Sequence, residues 1–222
     1  MIGKIIALDW RATIMPYKLA YLLHPVLVFI FGFATSQMLV LPISVWLALS
    51  YSTNPFFAEE KGELNHLYLT LPVKRSQIVA ARYVFSLILL VIGVAVGLVM
   101  TPVVRHFSHS RWYVGVQGNV ALITVSALVF AIYSLFMFPP LFRLGYHRGK
   151  IFGFYIPAAI FGAVATGYYI YMLTSARNTT LDFIVFASEN MLLVSGGITA
   201  LAALIMLLSY RLSVRFYSQR NL

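Results

Sequence analysis

The sequence predicts an all-α integral membrane protein with six transmembrane helices, and three observations support this fold class. Of the 222 residues, 61% are hydrophobic and only 10% are charged, whereas a soluble domain carries about 25% charged residues. The mean hydropathy is +0.87. The apolar residues fall in six runs of about 20 residues, the length of a helix that crosses a bilayer. We treat residues 1–222 as a single transmembrane domain.

Residues 1–18 precede the first apolar run and predict an amphipathic helix that lies in the membrane interface. Lys4 and Arg11 are seven residues apart, so a helix places them on one stripe beside the lipid phosphates. Trp10 suits the level of the headgroups. Pro16 is expected to end this helix before the first span.

The six apolar runs give the predicted spans. They are Leu19–Thr35, Met38–Phe57, Ile78–Val103, Val120–Leu141, Ile151–Leu173 and Met191–Tyr210. Pro139-Pro140 is expected to kink or end the fourth span. Gly93 with Gly97, and Gly149 with Gly153, form GxxxG pairs that favour close helix packing. Because such pairs are common in apolar helices, we interpret them as packing sites and not as evidence for a dimer.

The distribution of positive charge predicts the orientation. Thirteen lysines and arginines fall on the termini and on the second and fourth connections, against three on the other connections. By the positive-inside rule, both termini are expected in the cytoplasm. The net charge of +10 is therefore explained by topology, and no aromatic–basic motif predicts a nucleic-acid partner.

The longest polar-rich stretch, Glu59–Arg82, lies between the second and third spans. A spacing of i, i+3, i+4 and i+7 predicts a short amphipathic helix, whose apolar face would hold Leu64, Leu67, Tyr68 and Leu71. Glu59, Glu60 and Glu63 are expected in its first turn, where negative charge suits the helix dipole. Such a helix either contacts a partner or rests on the headgroups.

The end of this stretch is expected to lead the chain back into the membrane. Pro72 should terminate the amphipathic helix, because it lacks a backbone N–H. Lys74, Arg75 and Arg82 are expected to act as positive anchors at the membrane surface. Ser76 is a candidate N-cap for the third span.

A nucleotide site is not predicted in this chain. The segment Gly145–Lys150 resembles a phosphate-binding loop but is one residue short between its glycines. Ile151 stands where a Ser or Thr would hold Mg²⁺. We therefore expect no cofactor in this chain, and any ATP and Mg²⁺ would be bound by another subunit.

Paired glutamates leave an intramembrane metal-dependent hydrolase as an alternative. Glu59-Glu60 is similar to the glutamate pair of CAAX-type proteases, whose EExxxR motif works with histidines on later helices. Here Leu64 stands where the arginine belongs. His66 lies in the same loop, and the next histidines fall on the opposite side of the membrane. The pattern of this hydrolase family is incomplete.

The predicted spans contain almost no ionisable residues. His24 is the exception in the first span. A buried histidine there could be a proton site, although a neutral side chain bonded to a neighbouring helix is the more common case and is what we expect. Ion-coupled transporters and charge-lined channels need intramembrane acids or histidines. An energy source outside the membrane fits this sequence better.

Two stretches carry a resemblance to a known family. The first runs from Glu60-Lys61 through Leu71-Pro72-Val73-Lys74-Arg75 to Arg82-Tyr83, and the second is Pro140-Leu-Phe-Arg143-Leu-Gly145-Tyr146. Together with the span count, they resemble the permease subunits of ABC-2 type exporters, in particular the short six-span group that exports phenol-soluble modulins. The family usually has lysine where this chain has Arg82 and Arg143, so the charge is kept.

This resemblance implies a set of roles. Residues 59–75 would form the coupling segment, whose helix contacts an ABC ATPase through Glu59, Glu60, Glu63, Asn65, His66 and Tyr68. The N-terminal helix would be the elbow helix, with Lys4, Trp10 and Arg11. A second permease, identical or not, would complete the pathway in a bacterial plasma membrane. The cargo would be hydrophobic or amphipathic, and a toxin or antimicrobial peptide is the expected example.

Two further interpretations remain open. Tyr168, Tyr169 and Tyr171 are typical of an aromatic belt at the membrane interface, although they would also suit a pathway for amphipathic cargo. The chain could instead be a non-catalytic anchor or immunity protein that holds partners at the membrane. ATP-dependent flux distinguishes the exporter from this anchor.

Overall fold

The computed structural model describes residues 2–34, 37–61, 74–108, 115–155, 159 and 189–219. These residues are almost entirely helical, and no strand occurs among them. The helices are α1 Ile2–Ala34, α2 Gln37–Tyr51, α3 Asn54–Lys61, α4 Arg75–Ser108, α5 Val116–Lys150 and α6 Met191–Ser218. A π-helical turn, Ile151–Tyr155, follows α5. The all-α prediction is confirmed for the described part of the chain.

The helices pack in two groups that share one core. Helices α1 and α2 pack against α4, and α6 packs against α5. The largest core cluster joins the groups at one end of the bundle, where aromatic side chains from α3, α4, α5 and α6 meet. Its aromatic members include Phe56, Tyr83, Phe138, Phe142 and Tyr217. We refer to this end of the bundle as the cluster end.

Three described helices are long and apolar enough to cross a membrane: Arg75–Ser108, Gly118–Gly153 and Met191–Ser218. The apolar part of α1, Tyr21–Ala34, is shorter. Most of the predicted fifth span lies outside the described residues. The chain is therefore a membrane protein, whereas the count of six spans stays a prediction.

The break that Pro16 was expected to cause does not occur, because α1 runs without interruption from Ile2 to Ala34. A proline removes only one backbone hydrogen bond, and helices in membrane proteins tolerate that loss when neighbouring groups compensate. The predicted interfacial helix and the first span are thus parts of one helix. This gives the N-terminal residues a rigid connection to the membrane-embedded part of the chain.

The second span ends earlier than its apolar run. Helix α2 stops at Tyr51, and the Ser52 amide donates to the carbonyl of Ala48 in a closing turn. The Ser52 and Thr53 hydroxyls donate to the carbonyls of Leu49 and Ser50, which satisfies acceptors at the helix end. Pro55 is tolerated in the first turn of α3, where no intrahelical N–H bond is needed.

Gly145, and not the Pro139-Pro140 pair, ends the straight part of α5. Both prolines lie inside the helix, whereas Gly145 has φ 78° and ψ −179°. That combination of angles is essentially restricted to glycine. The chain reverses at Gly145, whereas the helix continues past both prolines. The prolines therefore do not end the span, and a kink at them stays a prediction.

The segment after Gly145 folds back along α5. A methyl group at Gly149 would lie 2.8 Å from the Cα of Leu141, and one at Gly153 would lie 2.8 Å from the Cα of Met137. We call residues 146–155 the return arm. Its two glycines allow the backbones to approach closely, as their spacing predicted.

The other GxxxG pair packs α4 against α2 within the chain. A methyl group at Gly93 would lie 2.9 Å from the Cβ of Ala48, and one at Gly97 would lie 2.9 Å from the Cα of Leu41. The interpretation of these glycines as packing sites is confirmed.

The start of α4 is capped by Gln77 and not by Ser76. The side-chain carbonyl oxygen of Gln77 accepts the backbone N–H of Lys74 at 3.2 Å. The backbone N–H of Gln77 donates to the backbone carbonyl of Lys74 at 2.9 Å. The side-chain bond is one half of a capping box, in which the side chain of the third helical residue accepts the backbone N–H of the N-cap residue. Arg75 donates to the carbonyls of Tyr217 and Ser218 at the end of α6. The start of α4 and the end of α6 are thereby joined.

Candidate functional site

A buried ion cluster lies at the cluster end of the bundle and is centred on Arg82. The Nη2 atom of Arg82 contacts the Oε2 atom of Glu59, and its Nε atom lies 4.0 Å from the Oδ2 atom of Asp9. All three residues are buried, with exposures of 2% for Arg82, 5% for Glu59 and 1% for Asp9. The cluster joins three separate helices, α1, α3 and α4.

Aromatic rings surround the guanidinium group. Its central carbon lies 4.2 Å from the ring centroid of Phe56 and 5.7 Å from that of Phe142. Phe56 also stacks on Phe138 with a centroid distance of 5.9 Å. An arginine stays charged even when it is buried, so it needs both counter-charge and favourable ring faces. The rings add α5 to the helices that contact this charge.

The structure corrects the expected roles of Arg82 and Glu59. Arg82 was predicted to be an anchor at the membrane surface, but it is buried two turns into α4. Glu59 was predicted in the first turn of a helix, but α3 begins at Asn54. Both side chains are buried, and their pairing with each other offsets the cost of burial, which a periodicity pattern does not reveal.

Glu60, the neighbour of Glu59, points to a different partner. Its Oε2 atom accepts the backbone N–H of His147 at 2.9 Å, directly after the reversal at Gly145. The ring of Phe57 packs edge-on against Tyr146 with a centroid distance of 5.1 Å. Glu60 thus satisfies a backbone donor at the start of the return arm, as an N-cap carboxylate does.

These contacts bring together the two stretches that carry the family resemblance. Glu60 from the first stretch binds next to Tyr146 of the second, and Arg82 lies over Phe142. Tyr83 packs against Phe138 at 4.9 Å, just before the second stretch. Segments distant in sequence therefore form one continuous site.

A hydroxyl network extends this site to α6. The hydroxyl of Tyr83 is 2.6 Å from the Oγ atom of Ser209 and 2.9 Å from that of Ser213. Ser209 donates to the carbonyl of Ser134 on α5 at 2.9 Å. Buried hydroxyl groups that pair in this way hold helices together without a net charge.

His24 forms a separate polar contact inside the first span. Its Nε2 atom is 3.0 Å from the Oγ atom of Ser44, which donates its proton to the carbonyl of Gly93 at 2.6 Å. Because that proton is used, Nε2 must carry the hydrogen and act as the donor to Ser44. The expectation that His24 bonds to a neighbouring helix is confirmed.

The predicted contact residues fall in different places. Glu60 is exposed on α3, whereas Glu63, Asn65, His66 and Tyr68 lie outside the described residues. Tyr168, Tyr169 and Tyr171 also lie outside them. On α1, Lys4, Trp10 and Arg11 are exposed, as the interfacial interpretation requires. Trp10 also packs edge-on against Phe85 of α4 at 6.1 Å.

Sequence reasoning missed Asp9. It is the only acidic residue before Glu59, and it lies four residues after the buried Ile5 and four before the buried Thr13. This spacing places all three on one helix face. A lone acid on the inward face of a basic helix was the available signal. Among the described residues, no group of three or more histidines and carboxylates is arranged to hold a metal ion.

Comparison with known proteins identifies the family. The family model described as ABC-2 family transporter protein matches residues 6–218, almost the whole chain. No curated protein and no solved structure matches it. The matched region contains the ion cluster, the Gly145 reversal and all of the apolar helices described above. The chain therefore belongs to the ABC-2 family of transporter membrane proteins.

Proposed function

We propose that this chain is the permease subunit of an ATP-driven exporter. The observation that carries the proposal is the match to the ABC-2 family over residues 6–218, because members of that family are membrane components of transport. An ABC ATPase supplies ATP hydrolysis and its Mg²⁺, and a second permease completes the pathway. Both termini lie in the cytoplasm of a bacterial cell, so the cluster end of the bundle faces the ATPase.

The ion cluster supports a mechanism for coupling. Residues 62–73, which include most of the predicted ATPase contacts, are flanked by Glu59 on one side and Arg82 on the other. Because these two side chains are paired, the two ends of the segment are held together. Asp9 ties the same point to α1. A push on the segment therefore acts on α1, α3 and α4 at once, as a lever in a rigid-body transition does.

Glu60 extends this lever to α5. Its bond to the His147 amide connects α3 with the return arm immediately after the reversal at Gly145. We assign Glu59 to the ion cluster inside the chain. The proposed ATPase contacts are Glu60, Glu63, Asn65, His66 and Tyr68. ATP-driven movement of these contacts tilts the helices and opens the pathway to the outside.

The cargo is hydrophobic or amphipathic, with an antimicrobial or toxin-like peptide as the best candidate. The described membrane helices expose many apolar side chains. Their charged residues lie near the helix ends, apart from Arg82, which is buried in the ion cluster. Such surfaces suit cargo whose apolar area contributes about 25 cal/mol per Å² on leaving water. Tyr168, Tyr169 and Tyr171 are proposed to line part of the pathway.

Co-purification from the native membrane tests this proposal. We expect an ABC ATPase at equal stoichiometry, with ATP hydrolysis that depends on the permease. A triple variant, E60A, E63A and Y68A, is expected to insert normally and lose that dependence. E189A is the matched control, since Glu189 is an exposed glutamate before α6, at the far end of the bundle. A homo-oligomer without an ATPase in gentle detergent would instead favour the anchor interpretation.

A further inference from the structure

A cavity of about 310 Å³ lies at the cluster end of the bundle, outside the ion cluster. One wall is the corner between α2 and α3, and the other is the reversal between α5 and the return arm. Its described lining comprises Ser50, Tyr51, Thr53, Asn54, Met137, Leu141, Tyr146, Lys150 and Tyr155. The family resemblance assigns no role to this cavity.

The lining is amphipathic and carries a single sign of charge. Met137 and Leu141 are fully buried and form an apolar floor. Lys150 is the one cation among the described lining residues, which include no carboxylate. Its ammonium group lies 5.4 Å from the ring centroid of Tyr146. A ligand for this cavity therefore combines a negative group with an apolar portion.

Lys150 is the charged donor of the described lining, and three of the neutral polar residues already donate within the chain. Ser50 donates to the carbonyl of Trp46, and Thr53 donates to that of Ser50. The amide nitrogen of Asn54 is 3.1 Å from the hydroxyl of Tyr21. A bound anion would pair with the lysine as a point charge, which is how lysine binds phosphate, and the lining also includes tyrosine hydroxyls, which are neutral donors.

The volume restricts the size of the ligand. A cavity of about 310 Å³ lies at the small end of ligand sites, which span about 300–1,000 Å³. One turn of a helical peptide, about 5 Å long and about 10 Å across, already fills roughly 400 Å³. The cavity is too small for helical peptide cargo, but it accommodates a phosphate with a glycerol fragment.

We propose that this cavity binds the phosphate headgroup of an anionic glycerolipid, with Lys150 as its charge partner. The apolar floor receives the glycerol and the start of the acyl chains, which distinguishes a lipid from free phosphate. A lipid there contacts α2 and α5 together, and the lining of the cavity includes no residue of the ion cluster. The site depends on neither the cargo nor the ATPase.

Native mass spectrometry of the purified full-length chain tests the proposal after partial removal of lipid. The chain is supplied with either phosphatidylglycerol or phosphatidylcholine. We expect selective retention of phosphatidylglycerol, and a loss of about fivefold in K150Q, the effect of one lysine near an anionic surface. K150R should restore retention, because it keeps the charge.

K61Q is the matched control for K150Q. The Lys61 ammonium also lies 5.4 Å from an aromatic centroid, that of Phe57, but Lys61 does not line the cavity. K61Q should therefore retain lipid as the parent chain does. Thermal unfolding of each variant shows that it is folded.

Three results of the lipid assay would overturn the proposal, and a fourth comes from a thermal-unfolding measurement with inorganic phosphate. The three are equal retention by K150Q and the parent chain, equal retention of both lipids, and an equal loss in K61Q. Stabilisation by inorganic phosphate through Lys150, with no retention of phosphatidylglycerol, would show a free-phosphate site and reject the lipid. Since no ATPase is present in this assay, none of these outcomes bears on the proposed export function.

Discussion

Replacement of Glu59 by glutamine tests the ion cluster most directly. The change keeps the size of the side chain and removes the charge that contacts Arg82. Removal of one partner from a buried ion pair costs about 3–5 kcal/mol. Asp9 remains 4.0 Å from the guanidinium group, an attraction of about 4 kcal/mol at an effective dielectric constant of 20. We therefore expect E59Q to lower the free energy of unfolding by about 3 kcal/mol, the lower end of that range.

The assay is thermal unfolding of the purified chain in detergent. In a chain of this size, 1 kcal/mol shifts Tm by about 2–4 °C, so E59Q should lower Tm by about 6–12 °C. E60Q is the matched control, since its carboxylate is adjacent but exposed and accepts one backbone N–H. E60Q should lower the free energy of unfolding by no more than about 1 kcal/mol.

Complete neutralisation of the cluster gives an independent check. The triple variant D9N, E59Q and R82M removes all three buried charges, so no charge is left without a partner. Its Tm should lie above that of E59Q, because a buried ion cluster is often replaceable by neutral groups at little net cost. Equal Tm values for E59Q and E60Q would refute the reasoning, as would a triple variant less stable than E59Q.

Three further predictions concern the framework of the site. G145A should lower the free energy of unfolding by about 1–3 kcal/mol, because φ 78° with ψ −179° suits only glycine. Its control is G196A, in a helix interior with open space around the glycine, which should leave Tm unchanged or raise it. Y83F removes the hydroxyl that pairs with the serines of α6 and should cost about 0.6–1.7 kcal/mol by chemical denaturation. G93V should lower Tm without changing the oligomeric state in size-exclusion chromatography, since its added atoms meet α2 of the same chain; dissociation of an oligomer would show that this glycine packs between chains instead.

The class of the protein was predictable because composition and charge asymmetry are properties of whole segments. Apolar runs of bilayer length predicted the membrane location, and short motifs around Pro72 and Gly145 predicted the family. Helix ends were less predictable. At Pro16 and Pro139-Pro140 the sequence indicates a break or a kink, but the helix continues past these prolines in both α1 and α5, as helices in membrane proteins can.

The site itself depends on pairings that no local pattern contains. The sequence pattern predicts Arg82 and Glu59 to be surface charges, because each lies next to a polar segment. Only the fold shows that their side chains form an ion pair. The third charge, Asp9, comes from α1, which lies well before Glu59 and Arg82 in the sequence. Periodicity identifies the face of a helix, but not which charge lies opposite it.

The order of the charges in the ion cluster has a consequence for biosynthesis. Asp9 and Glu59 leave the ribosome before Arg82, so both carboxylates are synthesised before their counter-charge. A nascent chain that stops short of α4 contains two acids that cannot yet be buried at low cost. Assembly of the first helices is therefore completed only when α4 is inserted, and truncated chains that end before Arg82 should be the ones that quality-control proteases remove.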